Sequence, residues 1–217
     1  MALRAEKKAA TRTAIADAAL GLFLVKGFDR VTVAEVADAA RVSVNTAFNY
    51  FPTKEDLFFD RQDEVVQRLA DAVRGRRPGE SPVAAVRRLF LEELDRGEPT
   101  LGLSPDVAAF WQIVDDSPAL QARARLLSQR AEEALAEVLG GATWRAAVLA
   151  AVDRALHAFI RDRMRAGDDP AAVRAAVRAE AETAYAVLDQ AVLDQAVLDQ
   201  AVLDQAVLDQ AVLDQAV

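Results

Sequence analysis

Apolar positions recur along most of this chain with the spacing of amphipathic helices. The first such stretch has them at i, i+3, i+4, i+7 and i+8, at Ile15, Ala18, Ala19, Leu22 and Phe23. This spacing gathers the side chains on one stripe of a helix. No segment alternates apolar and polar residues convincingly enough to predict a strand. The pattern therefore predicts an all-α protein with about nine helices.

Residues that start and stop helices divide the first part of the chain into short segments. Thr32 and Glu35 have the capping-box spacing of a second helix. A third helix is predicted from Val44 to Phe51, with Ser43 as its N-cap and Pro52 ending it. Two short helices joined by a link of a few residues indicate a helix-turn-helix, whose second helix can enter the DNA major groove.

Further helices are predicted from the same kinds of signal. Thr53 is expected to cap a fourth helix that runs to about Arg74, and Thr143 to cap one that begins at Trp144. Elsewhere a capping residue precedes a proline at the first helical position. These pairs are Ser81-Pro82, Ser104-Pro105, Ser117-Pro118 and Asp169-Pro170. Glycines are expected to end the preceding helices, namely Gly27, Gly97, Gly140, Gly141 and Gly167.

Composition limits the class of protein. The 217 residues are 53% hydrophobic and 28% charged, which is enough for a packed core. The chain has no cysteine, which excludes disulfides, a thiolate metal site and a cysteine nucleophile. Asp17 interrupts the basic N-terminus, so a signal peptide is not expected, and no apolar run approaches a membrane span. We expect a soluble, cytoplasmic protein with no cofactor and no metal.

The charge is distributed unevenly. The net charge is −8, but residues 1–54 hold eight Lys and Arg against five Asp and Glu, a net +3. Residues 186–217 carry six Asp and no basic residue, which leaves −5 for residues 55–185. A basic N-terminal part on an acidic body fits a DNA-binding segment joined to a second domain, although chance variation of a few charges would produce the same numbers.

The third predicted helix has the side chains that reading DNA requires. Its apolar face is predicted to bury Ala47, Phe48 and Phe51. The opposite face carries Val44, which could contact a thymine methyl group, and the two amides Asn45 and Asn49, since asparagine can bond adenine through two atoms.

Contacts to the DNA backbone are predicted around this helix. Four hydroxyls could bond phosphates, those of Thr32, Ser43, Thr46 and Tyr50. Lys54, at the start of the fourth helix, would add charge to a predicted anion site.

The stretch from Thr32 to Phe58, "TVAEVADAARVSVNTAFNYFPTKEDLF", resembles the helix-turn-helix signature of the TetR family. The resemblance covers about residues 10–60 and implies a three-helix DNA-binding domain, a helical ligand-binding and dimerisation domain, and a homodimer on a palindromic operator. Such proteins are most often repressors released by a small molecule. This chain departs from the signature at Arg41, where glycine is usual, and at Phe48, where tyrosine is common. Arg41 is expected either to strain the turn or to contact a phosphate.

The resemblance also extends, more loosely, into residues 55–185, which are similar to mycofactocin-regulator-like members of the family. This similarity implies a small-molecule effector of acyl-CoA-like chemistry. Bulky side chains on several predicted helices are the candidate ligand-binding residues, namely Phe90, Phe110, Trp111, His157 and Phe159. The alternative for each is ordinary helix packing. The resemblance further implies that the last two helices of each chain pair in the dimer.

Three domains follow. We predict a DNA-binding domain over residues 1–54, a ligand-binding and dimerisation domain over 55–185, and a tail over 186–217 in which AVLDQ is repeated six times before Ala216-Val217. The tail is predicted to extend the last helix. Two other functions stay open: a structural helical protein that assembles through the repeats, and an enzyme, although no nucleophile motif or nucleotide-binding fingerprint is present.

Overall fold

The computed structural model describes residues 2–104 and 107–191, and this part of the chain is built from ten α-helices without a strand. The helices are α1 (Ala2–Lys26), α2 (Val33–Ala39), α3 (Val44–Tyr50), α4 (Lys54–Phe58), α5 (Gln62–Arg74), α6 (Pro82–Arg96), α7 (Val107–Asp116), α8 (Pro118–Val138), α9 (Thr143–Arg165) and α10 (170–191). The predicted all-α class is confirmed. None of the described helices is both long and apolar enough to cross a membrane.

Most of the predicted helix starts are confirmed at the level of individual hydrogen bonds. The capping box is complete, since the Thr32 side chain accepts from the Glu35 N–H and the Glu35 carboxylate accepts from the Thr32 N–H. Ser43 accepts from the Thr46 N–H at 3.0 Å and so caps α3. Thr53 caps α4 in the same way.

Two other predicted caps are wrong. Thr143 is the first residue of α9 and makes no cap, because Ala142 occupies the N-cap position. Ser117 precedes Pro118 as predicted, but its hydroxyl lies 3.3 Å from Asp29 Oδ1 and caps nothing. A helix start was also predicted at Ser104-Pro105, but Pro105 lies outside the described residues.

The predicted fourth helix is two helices. The chain leaves the helical path at Phe59, where φ is −99° and ψ is 56°, and α5 begins only at Gln62. The guanidinium of Arg12 donates hydrogen bonds to the carbonyls of Tyr50 and Asp60. The Asp60 carbonyl is therefore bonded to a side chain of α1 at the point where a continuous helix would bond it to its own backbone.

Two apolar clusters form the core. One lies between the first four helices and also includes Val114 of α7 and Leu120 of α8. The other fills the space between α5, α6, α8, α9 and α10, with Phe90 and Tyr185 fully buried at its centre. The predicted boundary after residue 54 falls inside the short helix α4, whose Leu57 and Phe58 belong to the first cluster.

A group of buried charges ties three helices of the second cluster together. Arg68 of α5 donates to Glu93 of α6 at 2.8 Å and to Asp153 of α9 at 2.9 Å. Burial lowers the pKa of Arg68, but the charges of Asp153 and Glu93 outweigh this effect, and the net pKa lies above its ordinary value. The guanidinium therefore remains charged, and its neutralisation by two carboxylates makes its burial tolerable.

The first AVLDQ repeat is part of the described fold. Residues 170–191 are helical, Leu188 packs against the second cluster, and Asp189 accepts a hydrogen bond from the Ser81 hydroxyl at 2.6 Å. The last described helix therefore includes the first repeat and the residue after it. The other repeats lie outside the described residues.

Candidate nucleic-acid interface

The turn between α2 and α3 is tight and has an unusual backbone. Arg41 has a φ of +55°, and its N–H donates to the Asp38 carbonyl at 3.0 Å. The Val42 N–H donates to the Ala37 carbonyl at 2.9 Å. Non-glycine residues with positive φ are disfavoured by contact between Cβ and the backbone. Arg41 therefore has the left-handed conformation that was predicted to strain the turn.

The two faces of α3 differ as a DNA-reading helix requires. Ala47 and Phe51, the residue just after the end of α3, are buried against α1 and α2. Four side chains are exposed on the opposite face, namely Val44, Asn45, Phe48 and Asn49. At 100° per residue these four span an arc of about 140°.

Phe48 corrects the sequence prediction. The sequence places it in the core beside Ala47, yet 45% of it is exposed. In the helix it lies within about 40° of Val44, on the exposed arc, whereas Ala47 points to the other side. Its apolar character led to the prediction that Phe48 is buried. The angular position of Phe48 on the helix instead places it on the exposed face.

Three of the four predicted phosphate-binding hydroxyls already bond within the protein. The Thr32 hydroxyl lies 2.9 Å from Glu35 Oε2, and the Ser43 and Thr46 hydroxyls lie 2.7 Å apart. Tyr50 is half-buried against the first cluster. The hydroxyls of Thr32, Ser43 and Thr46 thus help to fix the starts of α2 and α3, and Ser43 remains exposed.

Glu35 holds α1 and α2 together at the edge of this surface. Its carboxylate accepts from Lys26 Nζ at 2.8 Å as well as from Thr32. The hydrogen bond from Lys26, followed by those from Thr32, lowers the pKa of Glu35 from 4.5 to about 2. The carboxylate is therefore ionised at neutral pH and keeps the capping box closed.

Lys54 faces inward rather than toward a phosphate. Its Nζ donates to the Phe28 carbonyl at 3.1 Å and to the Val31 carbonyl at 3.2 Å, and it lies 4.2 Å from the centre of the Phe28 ring. These contacts hold the segment between α1 and α2 in place. The predicted phosphate role of Lys54 is thus at most secondary to a structural one.

The sequence reasoning missed Arg12. Besides its bonds to the Tyr50 and Asp60 carbonyls, its guanidinium lies 4.3 Å from the centre of the Phe51 ring. Arg12 thus fixes the end of α3 relative to α1 and to the break before α5. Its partners are 38 and 48 residues away along the chain, so no local pattern could reveal them.

Arg41, Lys7 and Lys8 are cations of the N-terminal part that could meet a phosphate. All three are exposed, and none makes an ion pair within the described ranges. Arg41 lies in the turn that leads directly into α3.

The five predicted ligand-binding residues do not form one site. Phe90 belongs to the second cluster and Phe159 packs against it, while the His157 ring lies 5.9 Å from that of Phe90. Phe110 and Trp111 pack on the first cluster. A cavity of about 270 Å³ lies elsewhere, between α5, α6 and the turn Pro99–Leu101, and its lining includes Arg68, Glu93 and Glu98. None of the five residues lines it.

Comparison with known proteins gives the same picture of the N-terminal part. Residues 15–60 match the family of bacterial regulatory proteins called the tetR family. The HTH-type transcriptional regulator TcmR of Streptomyces glaucescens is 29% identical over 140 residues, 63% of this chain and 62% of TcmR. LuxR of Vibrio harveyi, another HTH-type transcriptional regulator, is 43% identical over 53 residues, 24% of this chain and 26% of LuxR. The chain thus matches less than two thirds of the length of either relative.

A solved structure extends the likeness of fold to most of the chain. The crystal structure of NalD, the secondary repressor of the MexAB-OprM multidrug efflux pump in Pseudomonas aeruginosa, covers 80% of this chain and 96% of NalD, with a TM-score of 0.52 and 23% identity. At this identity the likeness shows the fold alone. The matched family consists of bacterial regulatory proteins, and both relatives are HTH-type transcriptional regulators. Residues 15–60, which include the helix-turn-helix and the exposed face of α3, thus match the tetR family of bacterial regulatory proteins.

Proposed function

We propose that this protein is a ligand-responsive repressor that binds a palindromic operator as a homodimer and is released by a small molecule. The observation that carries the proposal is the exposed face of α3. Its four outward side chains combine two amides with two apolar groups. Side-chain amides bond adenine and apolar groups contact thymine methyls, so these are the residue types that read base edges in the major groove.

The surroundings of α3 support the same role. Caps and capping boxes fix the starts of α2, α3 and α4, and Arg12 fixes the end of α3. A rigid frame presents the reading side chains at a defined angle, and the exposed cation of Arg41 lies in the turn that leads into α3. Backbone contacts of this kind set the register of a protein on DNA, while base contacts set the sequence.

Two chains would pair through the outer faces of α9 and α10. Both faces expose alanines, among them Ala151 and Ala155 on α9 and Ala175 and Ala179 on α10. Small residues allow helices of two copies to approach closely, as in a four-helix bundle. A two-fold dimer would carry two copies of α3, whose half-sites lie about 34 Å apart on one face of the duplex.

Selection of bound fragments from a randomised duplex pool, followed by fluorescence anisotropy, tests the proposal. The wild type should enrich a palindrome. Asn49→Ala should bind the recovered duplex and a scrambled duplex more equally, whereas Arg41→Ala should weaken binding to both.

The control for the amide variant is Gln129→Ala, which removes another exposed amide, on α8. This variant should bind like the wild type. Recovery of no preferred sequence by the wild type, or an unchanged preference of Asn49→Ala, would contradict the proposed role of α3.

The effector is proposed on the sequence resemblance, which favours acyl-CoA-like chemistry. The cavity beside α5 and α6 contains carboxylates of Glu93 and Glu98, already paired with arginines, and offers little to an anionic headgroup. Release of the selected duplex by a long-chain acyl-CoA, and not by the free fatty acid or by CoA, would support the acyl-CoA class. Failure of all three to release it would exclude that class.

A further inference from the structure

Phe48 is a large apolar side chain that is exposed on the same helix as two exposed amides. Its exposed fraction is 45%, and that of Val44, four residues earlier, is 40%. Residues four apart are neighbours on one helix face, so the two side chains form a continuous apolar strip. Asn45 and Asn49 form a parallel strip of amides beside it.

The occupant of this strip is constrained by its neighbours. The strip is continuous with the amides of α3, and the exposed cation of Arg41 lies at the start of the same helix. A polyanion with both hydrogen-bonding and apolar groups on one surface fits this arrangement, and the major groove of DNA offers both. Phenylalanine has no hydroxyl with which to bond a phosphate. Its ring therefore suits the one apolar group of the groove, the methyl of thymine.

We propose that Phe48, together with Val44, reads thymine methyl groups in the major groove. This inference rests on the proposed function, because it requires α3 to face DNA. It assigns to Phe48 a role in specificity that its residue type alone does not indicate. The protein should then prefer half-sites in which A·T pairs place a thymine methyl under the strip and an adenine within reach of an asparagine.

The inference can be tested by removing the methyl group from the DNA rather than the side chain from the protein. The duplex recovered from the randomised pool is made in two forms, one with thymine and one with deoxyuridine at every thymine of the half-sites. Burial of one methyl-sized group contributes about fourfold in affinity. The wild type should therefore bind the uracil duplex more weakly, by about fourfold for each thymine methyl that it contacts.

A matched set of variants separates this contact from changes in the DNA itself. Phe48→Ala should bind the thymine duplex more weakly and should discriminate less between the two duplexes than the wild type does. Leu24→Ala removes an apolar side chain that is also 45% exposed, but on α1, and should discriminate like the wild type.

The possible results distinguish this inference from the proposed function. If the wild type prefers the recovered duplex to a scrambled one but binds its thymine and uracil forms equally, the role of Phe48 is overturned while DNA reading stands. Equal discrimination by Phe48→Ala and the wild type overturns it as well. If no duplex is preferred to a scrambled one, the proposed function fails and this inference fails with it.

Discussion

At the scale of single residues, Arg41 is the position where the sequence conflicts most with the backbone. Its φ of +55° is a conformation that glycine adopts freely and arginine does not. Arg41→Gly should therefore raise the free energy of unfolding by about 1 kcal/mol, as measured by urea denaturation.

The control for this variant is Arg41→Ala, which removes the same charge but keeps a Cβ. It should leave the stability near that of the wild type, because the contact of Cβ with the backbone remains. Both variants should reduce DNA affinity by the same amount if the guanidinium contacts a phosphate. Equal stability of the glycine and alanine variants would show that the turn is not strained.

Glu35 gives a pH-dependent prediction at the same scale. Its folded-state pKa is lowered from 4.5 to about 2, first by the hydrogen bond from Lys26 and then by those from Thr32. A depressed folded pKa means that the capping box contributes its full stability above pH 4.5 and loses it as the pH falls towards 2. In Lys26→Ala the pKa should rise but stay below 4.5, because the Thr32 donors remain. An NMR titration of the Glu35 carboxyl carbon measures this.

Lys7→Ala serves as the control in that titration, since Lys7 is exposed and makes no ion pair in the described part of the chain. It should leave the Glu35 midpoint where it is in the wild type. A midpoint that does not move in Lys26→Ala would mean that the Thr32 donors alone depress this pKa.

The residue scale also shows what the sequence can and cannot reveal. Thr32 and Ser43 could be predicted as caps because their partners lie three residues away, within reach of a local rule. Lys54 could not be predicted to face inward, because its acceptors lie 23 and 26 residues earlier in the chain. The reading amides were predicted correctly as exposed, since they lie opposite the buried Ala47.

At the scale of elements, the break between α4 and α5 was unpredictable for the same reason. Neither proline nor glycine occurs between Phe58 and Gln62, so every local signal favours one continuous helix. The contact that interrupts it comes from Arg12 on α1. Helix class and most helix starts could thus be predicted from the sequence, whereas the division of one helix into two depended on a tertiary hydrogen bond.

The buried ion cluster makes the contact between α5, α6 and α9 sensitive to a single substitution. Arg68→Ala leaves the carboxylates of Glu93 and Asp153 buried without their cation. We expect it to lower the free energy of unfolding by about 3 kcal/mol or more. Chemical denaturation followed by circular dichroism measures the decrease.

Arg74→Ala is the matched control on the same helix. Arg74 pairs with Asp71, and the two side chains are 55% and 63% exposed. Solvent screens such a pair, so its removal should cost less than about 1 kcal/mol. Should Arg68→Ala fail to fold, Arg68→Lys, which keeps the charge but cannot bond both carboxylates at once, should fold with intermediate stability. Similar effects of Arg68→Ala and Arg74→Ala would show that the cluster does not hold these helices together.

At the scale of the whole molecule, the distribution of charge predicts how DNA binding depends on salt. An acidic protein with a net charge of −8 binds a polyanion only if its cations are concentrated on the binding face. Lys7 and Lys8 near the start of α1 are exposed cations on the basic N-terminal part. Removing one cation that touches a phosphate should reduce the slope of log affinity against log salt concentration by about 0.9. Lys7→Ala/Lys8→Ala should therefore flatten the slope by about 2 if both lysines contact phosphates.

A second double variant separates local contacts from the charge of the molecule as a whole. Arg125→Ala/Arg130→Ala removes two exposed cations from α8 and changes the net charge by the same amount. It should weaken binding slightly at low salt without changing the slope, because long-range repulsion is screened and releases no counterions from a contacted phosphate. If the two double variants flatten the slope equally, the N-terminal lysines act only through net charge. If only the lysine variant flattens it, α1 contacts the DNA backbone next to the groove in which α3 would lie.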